Sequence, residues 1–160
     1  FTNIIARRTD RTVFNLGFSG NAPLDLEIAE LMASVKNPGV FVLDYVPNAK
    51  AERIREAGEE FFRIIREAHP DVPIIFVEDS YVPRTEFNTK NHKDIESRNQ
   101  EQKALFKRLK KAGEKNIYYV PAEGMLGDDG EATVDSRHYT DLGNIRYVEH
   151  IMPVIRKALR

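Results

Sequence analysis

The chain contains no cysteine in its 160 residues. That excludes a disulfide framework, a thiolate nucleophile and a thiolate metal site, and it leaves the cellular compartment open. It has no run of about 18 consecutive apolar residues, so no membrane span is expected. It also lacks a charge excess: 24 Lys+Arg stand against 25 Asp+Glu, a net charge of −1. No nucleic-acid partner and no membrane-surface role resting on bulk electrostatics is therefore expected. The four histidines, His69, His92, His138 and His150, show no close ligand pairing, so a structural zinc is not expected either. No internal repeat or low-complexity segment occurs. There is no initiator methionine and no signal peptide. Residues 1–8 (FTNIIARR) read like the tail of an amphipathic helix already under way, which predicts a chain that begins in mid-fold, with any export signal further upstream.

What is present is ordinary for a soluble globular domain. Hydrophobic content is 41% and charged content 31%, and the length suits one domain with a sizeable core. Residues 12–16 (TVFNL) form a short β-rich run ended by Gly17 and Gly20, and predict a buried strand. Leu24, Ile28, Leu31, Met32 and Val35 recur at helical spacing until Asn37-Pro38-Gly39 breaks the pattern. Residues 40–46 (VFVLDYV) are a near-continuous apolar run, as in parallel sheets covered on both faces. Ile54, Ala57, Phe61, Ile65 and Ala68 mark a second helix with a solvated Glu/Arg face.

Residues 72–77 predict a third strand, ending in Glu78-Asp79, and residues 80–91 a polar loop around Pro83. Residues 94–111 predict a third helix with Ile95, Leu105, Phe106 and Leu109 inward and a basic tail that suits a helix C-terminus. A fourth strand is expected over 116–120, then a long glycine-bearing loop over 121–137. Thr140 or Asp141 caps a last helix, which Pro153 should kink or interrupt. A helix end followed by four βα units predicts a three-layer α/β sandwich with a mostly parallel sheet, in which chemistry gathers at the carboxyl ends of the strands.

Three fragments at those strand ends carry chemistry. After the first visible strand comes Asn15-Leu16-Gly17-Phe18-Ser19-Gly20-Asn21. Its glycines let a backbone N–H approach an anion closely. The loop admits three readings: a simple tight turn, a dinucleotide loop working with Asp44, or an oxyanion-hole loop in which the Gly20 amide donates. The dinucleotide fingerprint is incomplete, because Asn15 occupies its first glycine position. After the second strand, Asn48 could cap the following helix or offer a neutral amide donor to the same hole. Near the end stands Asp135-Ser136-Arg137-His138, with a helix start soon after. A carboxylate three residues ahead of an imidazole on a tight turn reaches its near nitrogen, fixes the tautomer and steadies the imidazolium.

In order along the chain, these fragments resemble the SGNH hydrolases, also called the GDSL family of esterases and lipases. Ser19-Gly20-Asn21 resembles the block whose glycine lines the oxyanion hole. Val46-Pro47-Asn48 resembles the block ending in the oxyanion-hole asparagine. Asp135-Ser136-Arg137-His138 resembles the Asp-x-x-His-Pro block, with Tyr139 in place of the proline. The resemblance implies a flavodoxin-like αβα sandwich and a serine esterase acting on acyl esters without a cofactor. Asp135 and His138 would be catalytic, and Gly20 and Asn48 would form the oxyanion hole. It further implies a small-molecule or carbohydrate ester as substrate, a periplasmic or secreted location, and an upstream β-sandwich domain in the same gene product.

The family's Gly-Asp-Ser block is absent. The nucleophile and the first strand are therefore expected ahead of Phe1, leaving residues 1–160 as one N-terminally incomplete catalytic domain. Glu78 and Asp79, ending the third strand, are weaker candidates for contact with a sugar hydroxyl. Two other readings stand beside the esterase: a nucleotide- or phosphate-binding domain using Gly17, Gly20 and Asp44, and an inactive binding relative. A Gly-x-Ser just upstream would decide among the three.

Overall fold

The computed structural model describes residues 1–81 and 89–160. The expected loop around Pro83 lies mostly outside the described residues. In chain order the elements are α1 (Thr2–Thr9), a 3-10 turn (Phe18–Gly20), α2 (Leu26–Ala33), β1 (Phe41–Leu43), α3 (Ala51–Ala68), β2 (Ile74–Val77), α4 (Thr89–Lys111), β3 (Ile117–Val120) and α5 (Asp141–Ala158).

The three strands form one parallel sheet in the order β1-β2-β3, with Phe41 opposite Ile74 and Ile74 opposite Ile117. Every side chain of the central strand is buried, which explains why its sequence is apolar without alternation. Ile74 and Phe76 face a core shared with Phe62, Ile65 and Leu105 of α3 and α4. Ile75 and Val77 face the opposite core, shared with Ile5 of α1 and Val148 and Ile151 of α5. The result is the expected αβα sandwich, built on the two-residue period of a strand.

Two expectations fail. Residues 12–16 are not a strand. A strand exists only with a neighbour to complete its ladder, and among the described residues these have none: an open cleft of about 610 Å³ lies between them and β1. Its walls include Val13 and Phe14 on one side, Val40 and Val42 on the other, and Ile151 of α5 at its base. Phe14 is 71% exposed, although its sequence context calls for burial. The sheet therefore has three described strands where four are expected.

The second failure is at Pro153, which starts no new segment: α5 continues through it to Ala158. Proline removes one backbone donor, and this one lies on the exposed side of the helix, where water can satisfy the freed carbonyl. None of the described helices is long and apolar enough to cross a membrane.

Candidate active site

The ends of the strands meet the loop that precedes α5. That loop is held from several directions. Arg146 of α5 makes a bidentate pair with Asp129 (2.6 and 2.6 Å) and donates to the Leu126 carbonyl (3.0 Å). Thr140 caps α5 by accepting the Gly143 N–H at 3.0 Å, and its hydroxyl donates to the Glu131 carbonyl at 2.9 Å. Gly143 lets the first turn of α5 lie directly on this loop: a Cβ there would stand 2.0 Å from the Ala132 carbonyl oxygen. We expect Gly143→Ala to push the loop off α5, lowering stability by about 1–3 kcal/mol, the usual range for overpacking. A thermal melt reads this directly, and an unchanged melting temperature would show that the close approach is not maintained.

Beyond Ala132 the chain doubles back. Thr133 and Tyr139 form an antiparallel bridge, and the Val134 N–H donates to the His138 carbonyl at 2.9 Å. At the tip, Ser136 takes a positive φ of 67°. Asp135 closes this turn. Its Oδ1 accepts the backbone N–H of Arg137 (2.9 Å) and of His138 (2.8 Å), while Oδ2 meets His138 Nδ1 at 2.6 Å. Hydrogen bonds from the His138 amide and ring hold the Asp135 carboxyl down at about 2. The group is therefore an anion at neutral pH and cannot donate. Nδ1 must carry the proton, which leaves Nε2 as the basic nitrogen. The His138 side chain is 79% exposed. Among the described residues no serine hydroxyl is hydrogen-bonded to it.

Tyr139 joins this turn to the sheet. Its hydroxyl pairs with Ser80 Oγ at 2.8 Å, just past the end of β2, and its ring packs on Tyr147, 5.6 Å between centroids. The Tyr147 hydroxyl in turn donates to Asp44 Oδ2 at 2.7 Å, at the end of β1. Burial pushes the Asp44 carboxyl up to about 7, with nearby Asp79 adding to the effect and the Tyr147 hydrogen bond opposing it.

Gly20 and Asn48 come together although 28 positions separate them in the numbering. A Cβ on Gly20 would lie 3.6 Å from Asn48 Oδ1. Gly20 has φ +86°, and its N–H closes the 3-10 turn on the Gly17 carbonyl with a long 3.2 Å bond. Asn48 does not cap α3 with its side chain, for the N-cap is Lys50. Its amide is exposed and makes no hydrogen bond among the described residues.

The two acids after β2 are engaged within the protein. Glu78 is buried, not solvated: Oε1 accepts the Tyr119 hydroxyl and Oε2 the Ala122 N–H at 2.8 Å, which ties the ends of β2 and β3 together. Asp79 is also buried. It pairs with Arg98 of α4 at 2.8 Å, and its backbone is bonded on both sides by Asn99 (2.8 and 2.9 Å). Burial raises the Asp79 carboxyl above its ordinary value, against the pull of Arg98 and Arg137.

Asn99 and Gln102 are residues that the periodicity argument missed. Gln102 accepts the Tyr45 hydroxyl at 2.6 Å. Both fall between Ile95 and Phe106 on the inward stripe of α4. A polar side chain on an otherwise apolar stripe is the available signal for such a group.

A dinucleotide loop needs a strand leading in and a helix leading out. Here no helix leads out of the glycine turn, since α2 begins only at Leu26, and Asp44 is turned to Tyr147. The nucleotide reading therefore finds no geometry to rest on.

The sequence model of the GDSL-like lipase/acylhydrolase family matches residues 1–156. Among solved structures, the chain is similar to a Bacteroides ovatus protein classed as a GDSL-like lipase, with 32% identity and a TM-score of 0.83. That match covers 88% of this chain and 41% of the other, so the chain spans about two fifths of that relative's length. It shares its fold with the salicylyl-acyltransferase SsfX3 of a tetracycline biosynthetic pathway at 17% identity and a TM-score of 0.69, covering 87% and 44%. It also shares it with a family 3 carbohydrate esterase of Clostridium thermocellum at 18% identity and a TM-score of 0.57, covering 84% and 67%. No protein of curated function matches it.

Proposed function

Because the chain belongs to the GDSL-like lipase/acylhydrolase family, we propose that it supplies the base, the orienting acid and the oxyanion hole of a serine esterase. The observation that carries this reading is the Asp135–His138 pair, with the proton held on Nδ1 and Nε2 left outward. The nucleophile is a serine in a segment that precedes α1 and seats beside β1. The cleft between β1 and residues 12–17, the open edge of β1 and the exposed Phe14 support that placement.

In this mechanism His138 Nε2 takes the serine proton as the oxygen attacks the ester carbonyl carbon. Asp135 stabilises the imidazolium and does not itself take up the proton. The carbonyl oxygen gathers negative charge as the tetrahedral intermediate forms. The free amide of Asn48 donates to it, and the Gly20 N–H can leave its long bond to Gly17 to join. The alcohol departs with the proton from His138. Water, activated by the same nitrogen, then releases the acid. The substrate class we propose is an acetyl or other short acyl ester, carried on a carbohydrate as in the esterase relative.

The test is Asn48→Ala in the complete gene product with p-nitrophenyl acetate. Loss of one oxyanion donor should lower kcat by about 100- to 1,000-fold with little change in KM, because the bond is made chiefly in the transition state. Unchanged turnover would remove Asn48 from the mechanism.

A further inference from the structure

Asn48 lies in a loop, yet an oxyanion donor must be held to a fraction of an ångström to be useful. Within the loop the Asn48 and Ala49 N–H groups close a turn on the Tyr45 carbonyl (2.9 and 3.0 Å), and a second tie reaches it from outside. The only side chain among the described residues that donates to the loop's backbone at Pro47 is Arg98. Its Nη1 bonds the Pro47 carbonyl at 2.9 Å, one peptide ahead of Asn48, and its Nη2 bonds Asp79 Oδ2 at 2.8 Å. The two ends of this bridge lie in the loops that follow β1 and β2, and the bridge itself comes from α4. Arg98 and Asp79 are 15% and 12% exposed, so the pair is shielded and its geometry well defined. The anchor is fixed in its turn: Asn99, the next residue, binds both the N–H and the carbonyl of Asp79. A planar guanidinium can serve both acceptors at fixed angles, whereas an ammonium offers only a point charge.

We propose that Arg98 is a positioning residue for Asn48, tying the Pro47 carbonyl to the Asp79 carboxylate so that the Asn48 amide stands where the oxyanion forms. The proposal rests on the oxyanion role assigned to Asn48 above. Arg98 does not touch substrate, and its effect on turnover passes through the position of Asn48.

This makes a double-mutant test decisive. In the complete gene product, Arg98→Lys should lower kcat on p-nitrophenyl acetate about 10- to 100-fold, as a misplacement near 1 Å does, with KM changed less than about twofold. Asp79→Asn keeps the volume and the backbone bonds to Asn99 but loosens the anchor, and should lower kcat in the same sense. Should Arg98→Lys fail to fold, the second variant carries the test. Adding either substitution to Asn48→Ala should cost no further kcat, because the donor being positioned is already gone. Full additivity in the double variants, or wild-type kcat in folded Arg98→Lys and Asp79→Asn, would overturn the proposal. If Asn48→Ala itself left turnover unchanged, the oxyanion reading would fall first, and the inference with it.

Discussion

His138→Ala in the complete gene product should lower ester hydrolysis by about four orders of magnitude or more while leaving the fold intact. The size follows from cooperation within a triad. Removing the base disables the nucleophile, and what remains comes from the oxyanion hole and binding alone. The fold should survive because the side chain is 79% exposed and, among the described residues, its ring has one partner, Asp135. The turn around it rests on other bonds: the two backbone N–H groups on Asp135 Oδ1, the Val134–His138 backbone bond, and the Tyr139–Ser80 pair. Burst kinetics with p-nitrophenyl acetate, together with a thermal melt, check both halves. Wild-type turnover in His138→Ala would reject the base assignment. Lost turnover with a collapsed melt would show a structural role instead.

The second large effect concerns the cleft beside β1. Expressed alone, residues 1–160 should give an aggregating or loosely packed chain without esterase activity. Two features drive this. β1 has one paired edge and one open edge, and an open apolar edge strand is a template for pairing with another chain. The cleft also leaves apolar side chains uncovered, among them Val13, Phe14 and Val42. A parallel strand entering this gap would pair with β1 on one side and draw residues 12–16 into the ladder on the other, at the usual spacing of about 4.8 Å. Burying such surface returns roughly 25 cal/mol per Å², and a few hundred Å² is comparable to the whole stability of a domain, about 5–15 kcal/mol.

A longer product that supplies the proposed strand and serine should therefore be monomeric, melt cooperatively and hydrolyse p-nitrophenyl acetate. Size-exclusion chromatography and a thermal melt of the two products make the comparison. A monomeric, cooperatively melting chain of residues 1–160 would reject both the seated strand and the placement of the nucleophile.

The sequence determined the layers of this protein. Periodicity suffices wherever an element is long or fully buried: the stripe Ile54, Phe61, Ile65 can be satisfied only by a helix against a core, and Ile74–Val77 only by a strand covered on both faces. It determined the Asp135–His138 pair too, because both partners lie within one turn and no distant part of the chain is needed to bring them together.

The tertiary structure decided the rest. Residues 12–16 have strand composition but no strand, since a ladder needs a partner that local sequence cannot provide. Glu78 and Asp79 read as candidates for substrate contact, yet each meets its donors across the sheet or from α4: Tyr119 and Ala122 for one, Arg98 and Asn99 for the other. Tyr139, a departure from the expected proline, ties the His138 turn to Ser80, 59 positions away. Arg98 reaches the Pro47 carbonyl, one residue before Asn48, only because α4 crosses the ends of two parallel strands, and that crossing is a property of the packed sheet and of no single stretch of residues.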